Sequence, residues 1–471
     1  MARLRVFNLA GINTYVNPIV RKDTDFTRLV NVDNSPYGAK TKRPGYTTYL
    51  GTANGSAVSS LFSWTKDDGT TLFTYRASGD KLYYSVQGTG AWTVAGNGTI
   101  VGGNHVGHAI LGNTLIVGDG AGSTRHTTDG TTFTNTTLAP IASDFVNYQN
   151  RIYAMGTASD EFYSTANDAT NWNTSGTSDS SSIRVPGGGK LLKTFKLYDR
   201  LFMAKNSGIM HRWDGYNLVD MSTKLGPSSP YSYAQIEDYG LWLNNVGIFN
   251  SGGGNPQLIS NPIQKQIYNE ANTGIVGTTF ANAPAVAHQY NYLLACGTVT
   301  DNFTNERLDD GIIKYDYLAN MFSNYKYANF PTAWHSFKNA NGNEQLIFGD
   351  ATGQCYTVSG TATTDNGTAI ESIIEGSYHF DAPELDKEFR WIHAIFKPGS
   401  EAKVQISVGD TLEKASKNWI DIGDCSNGVT SFRFPQPSRG KFLFFKIYES
   451  SKNQGFVFYG FAITADIISD G

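Results

Sequence analysis

One motif recurs through most of this chain: a turn-forming pair followed at once by a short apolar strand. Asp68-Gly69 precedes Leu72-Phe73, Gly112-Asn113 precedes Leu115-Ile116-Val117, and Gln149-Asn150 precedes Ile152-Tyr153. Tyr198-Asp199 then leads to Leu201-Phe202, Tyr239-Gly240 to Leu241-Trp242, Tyr290-Asn291 to Leu293-Leu294, and Gly342-Asn343 to Leu346-Ile347. The anchors Leu72, Leu115, Ile152, Leu201, Leu241, Leu293 and Leu346 follow one another at roughly 37 to 53 residues. A second marker, Trp92, Phe133, Trp172 and Trp213, keeps a similar beat in the first units. Units of this length hold four short strands, which is the arithmetic of propeller blades. A single blade leaves its faces uncovered; closing a ring of blades buries them. A β-helix would repeat at about 20–25 residues, and a long β-sandwich array is the other alternative. The expected fold is therefore all-β, a β-propeller of six to eight blades, with seven favoured.

Few windows carry helical periodicity. The best is Pro262 to Tyr268, where a proline in the first turn and Ile263/Ile267 at i, i+4 fit one or two turns. Ser/Gly-rich stretches at 174–190 and 251–254 read as loop excursions within the repeats. After a Thr/Ser/Gly-rich stretch at 358–370 the pattern changes to long alternating strands, around 389–396, 402–408, 440–448 and 456–463. Three parts are expected: an extended N-terminal arm at 1–50, the propeller at 51–374 and a C-terminal β-sandwich at 375–471. The arm is turn-rich with few strand alternations and is expected to lie across its own propeller or a neighbouring subunit.

Composition narrows the function. Charged residues are 17%, aromatics 13% and the formal net charge is −4. Disorder would need fewer aromatics and more net charge, and a phosphate-binding protein would need an excess of Lys and Arg. No run approaches a membrane span, and the N-terminus lacks the apolar core of a secretory signal. Three widely spaced cysteines, Cys296, Cys355 and Cys425, argue against a disulfide framework. Production in a reducing cytoplasm is expected.

Chemistry-bearing patterns are weak. His105 and His108 are the only close histidine pair, and on a strand i and i+3 face opposite sides. No metal motif, nucleophile elbow or phosphate cradle is found, so no metal and no cofactor are expected. The serious enzyme alternative is a glycosidase. Sialidases carry Ser-x-Asp-x-Gly-x-x-Trp turns, and Ser85 to Trp92 resembles one, with Gln87 where Asp belongs. Thr127 to Phe133 and Thr165 to Trp172 are looser versions. Such turns brace hairpins; they do not catalyse. The arginine cluster that would hold a substrate carboxylate is represented only by Arg184 in a Gly/Ser loop. Aromatic richness suits either a glycan-binding face or the filling of blade interfaces, and the second is the simpler reading.

The first 46 residues carry a more specific signal. They include Gly11-Ile12-Asn13-Thr14-Tyr15, Asn31-Val32-Asp33, and Gly38-Ala39-Lys40-Thr41-Lys42-Arg43-Pro44-Gly45-Tyr46. Near the end stand Arg439-Gly440-Lys441-Phe442, Phe445-Lys446-Ile447 and Phe458-Tyr459-Gly460-Phe461-Ala462-Ile463. Together with the Ile263/Ile267 turn, this organisation resembles bacteriophage tail and neck structural proteins of the packaged-DNA stabilisation or tail nozzle type. The resemblance implies a non-catalytic virion protein. Its copies, commonly six, form a ring that extends the DNA channel and helps retain packaged DNA until ejection. It also implies neighbours such as an adaptor and a spike, assembly in the bacterial cytoplasm, and passage of duplex DNA without specific binding. A mildly acidic chain suits a conduit along which DNA must slide. Lys40, Lys42 and Arg43 are the candidate subunit contacts, with a solvated turn as the plainer reading. A host-receptor propeller that binds glycans is the second functional expectation, and the glycosidase the third.

Overall fold

The computed structural model describes residues 2–16, 20–35, 38–156, 160–175, 178–222, 224–267, 282–300, 307–380, 382–411, 418–425, 428–435, 438–452 and 455–468. The recurring turn pairs seat hairpins. Leu111 faces Thr114 across Gly112-Asn113, Tyr148 faces Arg151 across Gln149-Asn150, and Leu197 faces Arg200 across Tyr198-Asp199. Gly112, Gln149, Asn150 and Tyr198 have positive φ, the backbone that two-residue hairpin loops require. In two units the turn lies earlier than the sequence pattern suggests. The loop residues there are Glu237-Asp238 and Gln289-Tyr290. Gly240 belongs to the strand, where a Cβ would lie 2.9 Å from Cε2 of Tyr233.

Each hairpin grows into a four-stranded antiparallel sheet. Blade one runs from Val58–Thr65 to Thr93–Thr99, blade two from Gly107–Leu111 to Thr134–Asn135, and blade three from Phe145–Tyr148 to Ser181–Arg184. Blade four spans Leu191–Leu197 to Leu218–Ser222, blade five Ala234–Ile236 to Gln257–Leu258, and blade six Ala285–His288 to Met321–Lys326. These six blades are made of consecutive chain. A further sheet closes the ring: Ala333–Lys338, Glu344–Gly349 and Cys355–Ser359, with Gly45–Thr48 of the arm as its fourth strand and the short pair Thr364–Asp365 and Thr368–Ala369 beyond it. Its innermost strand lies beside that of blade one. The chain is thus an all-β propeller, with a seventh sheet fastened by the N-terminal arm.

Separate apolar clusters fill the joints between sheets. Phe62 and Tyr75 of blade one meet Leu115 and Phe133 of blade two. Leu293 and Ile312 of blade six meet Trp334, Phe348 and Tyr46 of the closing sheet. Val58 and Leu61 pack on Ile347 where the ring closes. Each fully buried large side chain contributes about 1.5–3 kcal/mol, so the ring is stabilised by its joints. Many aromatics sit here; Trp64 and Trp242 are almost completely buried.

The C-terminal region is a β-sandwich. One sheet holds Ser372–Tyr378, Ala402–Gly409, Ile420–Cys425 and Phe442–Glu449; the other holds Asp386–Phe396, Val429–Arg433 and Val457–Ile468. Phe389, Ile392, Val404, Ile406, Phe445 and Phe461 are buried in its core. The arm is richer in strands than its sequence suggests. Ala2–Val6 pairs with Val457–Ile468, and the hairpin of Val32–Ser35 and Ala39–Lys42 extends the same sheet. Arg28–Val30 lies parallel to Met321–Lys326 of blade six and antiparallel to Ser372–Tyr378. Blade six and one sandwich sheet are therefore a single nine-stranded sheet. Near Pro262 the chain forms a 3-10 turn, Asn261–Ile263, and one α-turn, Gln264–Ile267, with Ile263 and Ile267 buried. Tyr268 lies outside the described residues.

Candidate functional site

Lys40, Lys42 and Arg43, expected as subunit contacts, point into their own chain in this structure. Arg43 is 2% exposed. Its guanidinium donates to both carboxylate oxygens of Asp365 at 2.8 and 2.7 Å, to Oδ1 of Asn31 at 2.7 Å and to the carbonyl of Lys326 at 2.6 Å. The Tyr327 ring lies 4.3 Å away, beneath the cation. Lys42 Nζ sits 2.7 Å from Glu449 Oε2 and donates to the carbonyl of Ser451 at 2.8 Å. Lys40 donates to Asn34 Oδ1. Burial, aided by Lys314, pulls its pKa from the ordinary 10.5 down to about 7. These cations fasten the arm to the propeller and the sandwich.

The sialidase-like turns are also structural. Asp129 accepts from the amides of Thr131 and Thr132 at 2.7 and 2.9 Å and from Thr127 Oγ1 at 2.9 Å. Those bonds hold its carboxyl below the ordinary value. Asp168 braces Thr170 in the same way. Arg184 ends the outer strand of blade three, exposed and opposite Asp160. The structure does not gather arginines around it into a carboxylate clamp among the described residues.

A cavity of about 920 Å³ lies at one mouth of the propeller axis, and every blade contributes to its lining. His105, before blade two, stacks across it on Tyr231, before blade five, with ring centroids 4.3 Å apart. His108 stacks instead on Phe62 at 4.4 Å, so the two histidines have different partners. Burial, with Lys193 nearby, lowers His105 to about 3 and His108 to about 4. His335, whose Nε2 lies 2.8 Å from Ser63 Oγ, is lowered to about 3 by burial and His108. These imidazoles are neutral at pH 7. No group of three His, Cys, Asp or Glu among the described residues could hold a metal.

Sequence reasoning missed one cluster beside this mouth. Lys193 Nζ donates to Asp144 at 2.9 Å, the Thr194 amide donates to the same carboxylate at 3.0 Å, and Thr194 Oγ1 donates to the buried Glu161 at 2.9 Å. Burial pushes the Glu161 carboxyl well above its usual range. No spacing in the sequence joins residues from two blades. Asp119, also at the mouth, braces its own loop. Burial opposes its charge, but the amides of Gly122, Val101 and Ala121 outweigh that and keep its pKa low. The arrangement offers hydrogen bonds and packing, without an activated nucleophile or a free acid–base pair among the described residues.

No family description matches the chain, and no characterised protein matches it by sequence. Solved structures of low identity do align with it. BamB from Moraxella catarrhalis is 12% identical, over 77% of this chain and 98% of that one, with a TM-score of 0.40. The Pan2 WD40 domain of Neurospora crassa is 7% identical, over 67% and 94%, with a TM-score of 0.42. YCF48 bound to D1 peptide is 8% identical, over 67% and 99%, with a TM-score of 0.44. The class, a β-propeller, rests on the sheet topology itself.

Proposed function

We propose that this chain is a structural protein of a bacteriophage virion. Several copies, six on the resemblance, assemble in the tail or neck as a ring that continues the DNA channel and helps retain packaged DNA until ejection. Assembly takes place in the host cytoplasm, beside an adaptor and a spike, and the protein performs no turnover.

The observation that carries this reading is the use made of the N-terminal motif. Asn31, Arg43, Gly45 and Tyr46 are buried and join the arm to the closing sheet. Tyr46 is fully buried, and its hydroxyl reaches Asn329 at 2.9 Å. A motif spent on fastening marks a fold, and the resemblance carried by that motif implies a fold used as masonry. The net charge of −4 supports passage of DNA without retention by basic groups.

Cryo-EM of the virion, or negative staining of the purified chain with tail components, tests the reading. The expected result is a ring of several copies whose lumen is neutral to acidic and admits a duplex. A basic lumen contradicts the conduit argument. Absence of any ring, or hydrolysis of a fluorogenic sialoside that is lost in Arg184→Ala, overturns the assignment.

A further inference from the structure

The outer face of one sandwich sheet is uncovered and cationic. Strand register sets Arg433, Trp391, Thr464 and Arg3 side by side across four strands. The adjacent row is Ser431, His393, Ala462 and Arg5. Directly opposed residues share a face, so three arginines flank Trp391 and His393. Trp391 is 40% exposed, and its ring runs nearly parallel to that of His393, 9° apart with centroids at 6.4 Å. His393 Nδ1 is fixed 2.7 Å from Ser431 Oγ. Arg3, Arg5 and Arg433 are exposed and have no ion pair among the described residues. Arg390 nearby is neutralised by Glu388 and Asp466, at 2.8 and 3.0 Å.

The complementary chemistry lies on the hairpin loops of blades four to six. Tyr198, Tyr239 and Tyr290 are 49%, 38% and 43% exposed, interleaved with Asp199, Glu237 and Asp238. Tyr239 packs on Tyr317 at 5.7 Å. The charged side chains that act on Tyr198 and Tyr290 are carboxylates, Asp238 for the first and Glu237 with Glu344 for the second. Tyr198, Glu237 and Tyr290 hold φ of 53°, 51° and 63°, a backbone region unfavourable to such residues, at the tips of adjoining blades.

We infer that the arginine–tryptophan face of one copy docks on the tyrosine–carboxylate loops of the next. Guanidinium groups meet carboxylates through charge-assisted bonds and tyrosine rings through their faces. The two surfaces are different, so the contact is heterologous and closes into a ring where the rotation permits. The inference rests on the multimeric reading above and names the surfaces that make it.

Two charge-reversed full-length variants test it by sedimentation velocity, with melting temperature as the folding control. One carries Arg3→Glu and Arg5→Glu, the other Glu237→Lys and Asp238→Lys. The wild-type chain is expected to self-associate, more weakly as salt rises. Each variant alone should associate at least about tenfold more weakly, because like charges then face each other. Mixing the two, or combining all four substitutions in one chain, should restore association, since each reversed face meets a reversed partner. Wild-type association by either variant, or failure of both restorations, overturns the docking and leaves the ring reading standing. A wild-type chain that never associates, with or without tail components, removes the ring reading and this contact with it.

Discussion

Arg43 is the residue on which the arm depends. Its charge is buried, and Asp365 supplies the only carboxylate that touches it among the described residues. Asp365→Ala should lower the unfolding free energy by roughly 3–5 kcal/mol, because it strands a buried cation; urea titration measures this. Replacing both partners by leucine should cost much less. The sequence placed Lys40, Lys42 and Arg43 in one basic cluster, and their residue type suggested surface. The carboxylates that hold Arg43 and Lys42, Asp365 and Glu449, lie hundreds of positions away, so the burial of these two was not legible locally. The histidines of the axis carry a second expectation. His105, His108 and His335 have folded pKa values near 3, 4 and 3, below the ordinary 6.5. The unfolded chain therefore binds more protons between these limits, and stability falls as pH drops from about 6.5 toward 4. At pH 5 the loss is on the order of 2 kcal/mol per histidine. Melting temperature should be lower at pH 5 than at pH 7, and the difference should shrink in His108→Gln.

Elements that obey local rules were visible in the sequence. All seven apolar anchors fall in the second strand of a sheet, from Leu72–Ser78 to Glu344–Gly349. Outer strands such as Thr134–Asn135 and Gln257–Leu258 were not visible, because two residues carry no periodicity. Nor was Gly45–Thr48, which pairs with Cys355–Ser359 across the length of the propeller. Its first residue explains why glycine stands there: a Cβ at Gly45 would lie 2.0 Å from the Thr364 carbonyl oxygen. Backbone cannot retreat as a side-chain tip can. Gly45→Ala should therefore destabilise by about 1–3 kcal/mol or more and loosen the closing strand first. Limited proteolysis should cut the variant near residues 43–50 while blade three remains protected; equal cutting of both regions would show that the strand is not an independent fastening.

At the scale of the molecule, the arm makes one body of two sequence regions. Blade six, Arg28–Val30 and the sandwich share a hydrogen-bonded sheet. One apolar core runs from Leu241 and Leu294 of blades five and six through Phe26 and Leu29 of the arm to Phe445 and Ile463 of the sandwich. Composition shifts at about residue 370 suggested a separable C-terminal domain, because local pattern does report a change of strand length there. It does not report that Ala2–Val6 and Ala39–Lys42 complete the sandwich from the other end of the chain. Without them the Val457–Ile468 strand exposes an unpaired edge over most of its length, a site for non-specific pairing. Calorimetry of the full chain should accordingly show one cooperative transition, since loss of either region uncovers the core of the other. A fragment of residues 372–471 should aggregate, and adding residues 1–50 in trans should raise its soluble fraction. Two resolved transitions, or a monomeric fragment with a sharp melt of its own, would show that the regions fold independently and that the arm merely tethers them.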